Sequence, residues 1–356
     1  MTKLCFLLLI FNLLASFSSN AQQNNLFFDF AGGGGRLYPH HPEMRLFAGP
    51  VSFFNARLGL KTRGQKEWHR VYNYPEIGIG LSHDYLTSKS LGNPTAVYSF
   101  MNLPLLTDSK LKLNLGTHIG FAWGFNPYNE QDKINIAISS KCSAYFSLNL
   151  NASIKIGRNF DILVSAGGYH YSNGNIRKPN KGINMLGAET GLRYSFLKSD
   201  TELNKEPVEP IVKSSSVMVF TSWSVKYEAT YSRQYSAGTF STGFYHTISH
   251  KSRLSTGIDL FYDEGTLYFT QKENLLKNTL AVGLFGGHEL TFNRLSIVAQ
   301  LGIYLQNPCP KDPFYYERIG LRYVIAKWII PSLTLKAHEL KVDFIEWGLG
   351  FVLWKS

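Results

Sequence analysis

Apolar and polar residues alternate one by one along several stretches of this chain. From Ser143 to Ile156 the even-numbered residues are all apolar and the odd-numbered residues are mostly polar. Leu111–Trp123 repeats the pattern, and Leu295–Leu305 shows it less cleanly. A period of two residues predicts a β-strand with one apolar and one polar face. Stretches of 11 to 14 such residues are long enough to cross a bilayer at a tilt.

The composition favours a transmembrane barrel over a soluble secreted protein. The chain contains 20 Tyr, 25 Phe, 6 Trp and 31 Gly, yet its hydrophobicity comes in alternation rather than in the run of about 18 apolar residues that a spanning helix needs. Such a pattern is typical of outer-membrane barrels. A large soluble β-sandwich is the competing interpretation. We therefore predict an all-β, antiparallel transmembrane β-barrel in the cell outer membrane.

The N-terminus has the features of an export signal. Lys3 supplies a positive charge, Leu4–Phe17 is mostly apolar, and small residues lead to Ala21. The segment is short and ends at a cleavage motif, which distinguishes a signal peptide from a membrane anchor. The prediction is that residues 1–21 are a signal peptide.

The charge of the chain indicates the kind of partner to expect. The formal net charge is +11, and a basic surface attracts acidic partners. For an exported barrel the nearby polyanion is lipopolysaccharide, so nucleic acid is not expected. Cys142 and Cys309 remain after signal removal; whether they pair stays open at this stage.

The predicted strands fall into two halves. Eight strands are complete by Phe196, and the charged, proline-containing segment 197–214 lacks alternation, as expected of a linker. Strands resume beyond it. The predicted domains are an eight-stranded barrel over 22–196, the linker 197–214 and a second, non-catalytic barrel repeat over 215–356. Two tandem barrels and one larger barrel both satisfy this pattern, because both avoid open sheet edges.

The second half looks like a degenerate copy of the first. Ala188–Leu192 aligns with Ile345–Leu349, and His170 aligns with His338 one strand upstream. Position 340, two residues after His338, is leucine. The second half is therefore predicted to lack chemistry of its own.

One constellation carries chemistry, at the end of the seventh predicted strand. His170 and Ser172 share parity with Phe160 and Val164, so their side chains are predicted to project from the lipid-facing side of the strand. A polar group facing hydrocarbon is unfavourable unless it has partners. A histidine and a serine there suggest an enzyme that attacks an ester within the membrane.

The residue types define the predicted roles. His170 can take the proton of Ser172 as general base, and the serine oxygen can attack an acyl carbonyl. The following turn, Asn173, Gly174 and Asn175, can direct N–H groups at the developing oxyanion. The alternative is an ordinary polar strand end that enters an Asn-Gly turn.

A family resemblance strengthens the catalytic interpretation. His170–Asn173, together with Pro179, Asn180, Gly182 and Ile183, resembles the active-site stretch of the lipid A 3-O-deacylase (PagL-like) family. The resemblance implies an eight-stranded outer-membrane barrel that hydrolyses the acyl ester at the 3-position of lipid A. It implies His170 as base, Ser172 as nucleophile and Asn173 with its neighbours as oxyanion site. Residues 214–356 resemble longer acyloxyacyl-hydrolase-type relatives.

The chain departs from the family at one position. The family has a glutamate that orients the histidine, and the corresponding residue here is Asn184. Parity places Glu189 on the lumen side, where Arg193 or another lumen charge is its expected partner. Asn184 lies on the outer face and is the third predicted catalytic residue. An asparagine can orient the imidazole but cannot stabilise the imidazolium by charge.

The neighbouring loop supplies predicted substrate contacts. Arg177, Lys178 and Lys181 are expected to meet lipid A phosphates, for which cationic donors are suited; the alternative is a solvated charged loop. The adjacent pair His40 and His41 lacks a second ligand cluster, so no metal is predicted.

These predictions describe an outer-membrane serine esterase that removes an ester-linked acyl chain from lipid A or lipopolysaccharide. It needs neither metal nor organic cofactor, and a homodimer is one possible assembly. A non-catalytic pore, adhesin or structural barrel is the alternative from another class. A phospholipase with the same pair is a third.

Overall fold

The computed structural model describes residues 25–108, 110–131, 133–196 and 203–356. The predicted signal peptide therefore lies outside the described residues. Residues 197–202 of the predicted linker lie outside them as well. The described strands close into two separate antiparallel barrels, β1–β8 and β9–β16. This confirms the all-β barrel prediction and selects two barrels over one larger barrel. None of the helices in the described ranges is both long and apolar enough to span a bilayer.

The first barrel contains the eight strands predicted up to residue 196. They are β1 (Leu26–Leu37), β2 (Pro50–Lys61), β3 (Glu76–Leu86), β4 (Gly92–Thr107), β5 (Leu111–Phe125), β6 (Cys142–Lys155), β7 (Phe160–Ser172) and β8 (Ile183–Ser195). A 3₁₀-helix (Pro42–Phe47) follows β1, and α1 (Glu67–Val71) follows β2.

The glycine run after Ala31 belongs to β1, although a connection from residue 33 is what the sequence predicts. A Cβ atom on Gly33 would lie 2.2 Å from the carbonyl oxygen of Ala188 on β8, and one on Gly35 would lie 2.1 Å from that of Leu186. Glycine is therefore required for the close approach of β1 to β8. The prediction was wrong because glycine carries no side chain and so shows no alternation.

The second barrel begins after the linker. Its strands are β9 (Ser215–Tyr227), β10 (Gln234–Ser249), β11 (Ser252–Asp263), β12 (Leu280–Phe292), β13 (Leu295–Gln306), β14 (Tyr315–Tyr323), β15 (Ile329–His338) and β16 (Lys341–Lys355). Two short helices, α2 (Thr266–Thr270) and α3 (Leu276–Thr279), lie between β11 and β12.

Both barrels bury polar residues and expose apolar ones. On β6, Ser147 and Asn149 are buried in the lumen, whereas Phe146 and Leu148 are exposed on the outer face. This arrangement is the reverse of a soluble protein and matches a barrel whose outer surface meets lipid.

Ion pairs fill the lumen of the first barrel. Arg193 contacts Asp29 at 2.7 Å and Glu76 at 2.6 Å, and Arg57 contacts Glu189 at 2.7 Å. Glu189 thus faces the lumen and pairs with another lumen charge, Arg57, which is one of the two predicted alternatives; the other alternative, Arg193, pairs with Asp29 and Glu76. Glu189 and Arg193 are four apart on one strand, about 13 Å at 3.3 Å per residue, which is too far for a direct pair.

The chain divides into two compact units. The first comprises the described residues up to Phe125, with Ala144–Tyr171 and Ile183–Pro207. The second comprises Val208–Ser356 together with Asn126–Ser143 and Ser172–Gly182. The second unit therefore includes two segments that connect strands of the first barrel. Exposed Cys142 and buried Cys309 are both free thiols, so the two cysteines do not pair.

Candidate active site

Strand β7 turns the predicted catalytic pair away from the lumen. Tyr171, between the two residues, is fully buried inside, whereas Phe160 and Val164 are 46% and 47% exposed on the outer face. His170 and Ser172 share the outer parity and are half-buried at the end of the strand. The imidazole and the hydroxyl therefore lie on the side that meets lipid, as the alternation predicts.

Asn184 holds the imidazole of His170. The two residues are direct cross-strand partners on β7 and β8, and their atoms Nδ1 and Oδ1 are 2.5 Å apart. An amide oxygen only accepts, so Nδ1 is the protonated nitrogen. In a neutral imidazole the other nitrogen, Nε2, then keeps a free lone pair. This tautomer is the one that a general base at Ser172 requires.

His40 extends the chain of hydrogen bonds that begins at the His170 imidazole. The Asn184 Nδ2 group donates to His40 Nδ1 at 2.8 Å, and the Tyr38 N–H donates to the Asn184 carbonyl at 2.8 Å. The segment after β1 reaches this place because β1 and β8 pair to close the barrel. In the sequence His40 stands out only as half of an adjacent histidine pair, since no local pattern connects it to residue 184.

Two donors converge on the Ser172 hydroxyl oxygen. Asn180 Nδ2 lies 2.9 Å and the Gly174 N–H nitrogen 3.2 Å from Oγ. Gly174 has a φ of +64°, a conformation that favours glycine. Asn180 is part of the motif that carries the resemblance but had no predicted role. Both groups donate to the oxygen, so neither bond uses the hydroxyl proton.

The amide side chains of Asn173 and Asn175 shape the turn around the serine. Buried Asn173 donates to the Arg177 carbonyl at 2.9 Å and to Ser139 Oγ at 3.3 Å, and its Oδ1 accepts the Asn175 N–H at 3.0 Å. The Asn175 amide donates to the carbonyls of Val342 and Asp343. These side chains are thus committed to loop structure, and their oxyanion role stays a prediction.

The three basic loop residues differ in their surroundings. Arg177 is exposed and Lys181 is partly exposed. The Lys178 amine instead donates to the Glu228 carbonyl at 2.9 Å, and burial lowers its pKa. Arg177 and Lys181 are therefore better placed than Lys178 to meet a phosphate.

The second barrel presents no copy of the pair. His338, the counterpart of His170, contacts the Tyr304 hydroxyl through Nε2 at 2.8 Å, and its Nδ1 lies 3.8 Å from Asp312. Leu340, two residues on, is 89% exposed in the turn before β16. The histidine is thus engaged on the lumen side, without a serine at the corresponding position.

Within the described ranges, one group has metal-ligand spacing: Glu228, Asp263 and Asp343. The Lys226 ammonium lies 2.9, 2.6 and 2.7 Å from these three carboxylates. The chain's own cation therefore occupies the centre of the cluster, which makes it an internal ion-pair network.

Closed barrels with an apolar outer surface and a polar lumen define the class as outer-membrane β-barrel proteins. Within that class, the model of the lipid A 3-O-deacylase (PagL) family matches residues 52–193, and the model of the acyloxyacyl hydrolase C-terminal domain matches residues 214–355. The chain belongs to this PagL-type family of outer-membrane ester hydrolases. No curated protein matches the chain.

Solved structures of outer-membrane proteins align along the chain at low similarity. A mutant Rh. blastica porin shares 9% identity over 92% of this chain and 100% of its own, with a TM-score of 0.21. Acinetobacter baumannii Omp33 shares 11% identity over 92% of this chain and 97% of its own, with a TM-score of 0.17. A mutant ferric enterobactin receptor (PfeA) from Pseudomonas aeruginosa shares 8% identity over 88% of this chain and 53% of its own, with a TM-score of 0.25. Scores this low carry no argument about function.

Proposed function

We propose that this protein is a serine esterase that removes the acyl chain from the 3-O position of lipid A in the outer membrane. Ser172 is the nucleophile, His170 the general base and Asn184 the residue that orients the base. The observation that carries the proposal is the outward imidazole of His170, held by Asn184 with its Nε2 free, on the same strand face as Ser172.

The proposed reaction has two steps. Ser172 Oγ attacks the acyl carbonyl carbon while its proton passes to His170 Nε2. The tetrahedral intermediate collapses, and the sugar oxygen leaves with the proton from His170. Water, deprotonated by the same imidazole, then attacks the acyl-serine and releases the fatty acid. The sequence regenerates the hydroxyl and the neutral imidazole.

The resting hydrogen bonds indicate what assists this chemistry. The Gly174 N–H and the Asn180 amide already donate to Ser172 Oγ, and they lie within reach of an oxyanion that forms two bonds away from it. Preorganised donors of this kind stabilise the developing charge. Asn180 is therefore our additional candidate beside Asn173, Gly174 and Asn175 for the oxyanion site.

The imidazolium lacks a carboxylate partner in this arrangement. Asn184 accepts from Nδ1 and in turn donates to His40, so the base is oriented but not stabilised by a negative charge. In the domain division that we propose, residues 22–196 form the catalytic barrel, 197–214 the linker and 215–356 a second barrel without its own catalytic pair.

Mass spectrometry of lipid A from cells that express wild type, Ser172→Ala or Ser165→Ala tests the proposal. Ser165 is a matched control, because it lies on the same strand but faces the lumen, where it donates to Asn151. Wild type and Ser165→Ala should each remove one ester-linked chain, and Ser172→Ala should remove none.

Two other results would redirect the assignment. Altered glycerophospholipids with unchanged lipid A would select a phospholipase that uses the same pair. Unchanged lipids with wild type, accompanied by altered solute permeability, would select a non-catalytic barrel.

A further inference from the structure

We infer that the second barrel is a positioning domain, which holds the turn that carries the Ser172 oxyanion donors in its working shape. The inference rests on the proposed function and assigns a task to residues 215–356. Three contacts inside the second compact unit carry it, and each joins the segment Ser172–Gly182 to the β9–β16 barrel.

The first contact is made by Asn175. Its Nδ2 group donates to the backbone carbonyls of Val342 at 3.1 Å and Asp343 at 3.3 Å, both near the start of β16. Asn175 has a φ of +69°, which is sparsely populated for residues other than glycine, although asparagine tolerates it best. Two bonds from one amide therefore fix the residue next to Gly174.

The second contact is a close packing of Gly174 on Ile345. A Cβ atom added to Gly174 would lie 2.4 Å from Ile345 Cδ1, so the turn sits directly against this side chain. Gly174 is the residue whose N–H donates to Ser172 Oγ. Ile345 thus packs against Gly174, the residue that provides one of the two donors.

The third contact is the bond from the Lys178 amine to the Glu228 carbonyl. Glu228 is itself held firmly, because its carboxylate pairs with Lys226 at 2.9 Å and with Lys311 at 2.7 Å. The far side of the turn, which leads to the second donor Asn180, is thereby tied to a rigid ion-pair network.

Together the contacts explain why a barrel without a catalytic pair lies in the same chain. Both donors to Ser172 come from the segment Ser172–Gly182, whose backbone includes three residues with positive φ, Gly174, Asn175 and Gly182. Misplacement of a reacting group by about 1 Å lowers rates by about 10²-fold. Loss of the second-barrel contacts should therefore lower turnover rather than substrate binding.

The test uses the full-length protein in lipid nanodiscs that contain lipid A. Asn175→Asp replaces the donor by a carboxylate that faces two carbonyls, and should lower kcat by about 10²-fold with KM within about twofold. Ile345→Ala should lower kcat by about tenfold, and Ile345→Val should restore most of it. Ile319→Ala is the matched control, an isoleucine exposed on the outer face of β14, and should leave kcat unchanged.

Limited trypsin cleavage after Arg177 and Lys181 gives a second readout that does not depend on catalysis. Asn175→Asp and Ile345→Ala should speed cleavage there, and Ile319→Ala should not. Faster cleavage with an inactive wild type would support the positioning contacts while refuting the esterase. Wild-type cleavage rates together with wild-type kcat in both variants would overturn the inference.

Discussion

The seventh strand of each barrel carries a histidine at or near its end, and the two histidines face opposite ways. On β7 the parity of His170 is that of exposed Phe160 and Val164, whereas on β15 the parity of His338 is that of buried Thr334 and Lys336. His170 therefore meets lipid and His338 meets the lumen. Because side chains alternate along a strand, a histidine near the end of a strand faces either the lipid or the lumen, depending on its parity.

The cross-strand partners differ in the same sense. Asn184 lies opposite His170 and bonds its ring, whereas Lys341 lies opposite His338. His338 instead bonds the Tyr304 hydroxyl close to the Lys226 ion-pair network. The two imidazoles thus differ in the face that carries them and in the groups that they contact.

The largest difference is expected when the two histidines are changed separately. His170→Ala should lower kcat for lipid A deacylation by about 10³-fold, because the general base is lost. His338→Gln should leave kcat within about twofold, since its ring serves packing and a lumen hydrogen bond. Purified full-length variants assayed by fatty-acid release measure both. Equal losses of kcat in the two variants would show that the two histidines do not differ in their importance for catalysis.

The second-largest effect is expected when Asn184, the residue that bonds the His170 ring, is changed. Asn184→Ala should lower kcat by about 10²-fold, because the required tautomer is no longer favoured. Asn184→Glu should raise kcat by about tenfold above wild type, since a carboxylate also stabilises the imidazolium. The assay is the same fatty-acid release. A glutamate variant slower than wild type would show that the amide is itself required.

His40 should matter only while residue 184 is an amide. His40→Ala removes the acceptor for Asn184 Nδ2 and should lower kcat about fivefold, the scale of one hydrogen bond of about 1 kcal/mol. In the Asn184→Glu background the same change should have no effect. His41→Ala serves as the neighbouring control. Equal losses from His40→Ala in both backgrounds would mean that His40 acts independently of the amide.

The smallest effect is expected from the exposed loop cations. The double variant Arg177→Gln, Lys181→Gln should raise KM about threefold without a change in kcat, because exposed charge pairs contribute little and are screened by salt. The difference should shrink as ionic strength rises. Arg158→Gln, in the connection between β6 and β7, is the control. A large fall in kcat would instead place one of these residues at the reacting atoms.

Much of the fold follows from local alternation, and its closure does not. Period-two patterns predict the strands and the outward face of His170, Ser172 and Asn184, because parity is a property of each strand alone. Whether β8 pairs with β1 or with β9 depends on contacts between distant residues, so one barrel and two barrels have the same local signature. The sequence predicts Gly33 and Gly35 in a connection rather than in β1, because glycine has no side chain that could show the alternation.

In the candidate site, too, local alternation predicts some features, and others depend on contacts between distant residues. Residues on strands, such as His170 and Asn184, could be assigned a face from the sequence. His40 and Asn180 lie in connections without periodicity, and each reaches its partner through a fold that brings distant segments together. The use of Asn175 against β16 was equally invisible, since the two segments lie 167 residues apart.

Covalent labelling tests the central claim most directly. The full-length protein in lipid nanodiscs would be treated with a long-chain alkyl fluorophosphonate, which reaches a nucleophile from the lipid, and the modified peptide would be identified by mass spectrometry. We predict modification of Ser172 in wild type and in His338→Gln, and its loss in His170→Ala. Absence of label on Ser172, or equal labelling in His170→Ala, would contradict a lipid-facing serine activated by His170.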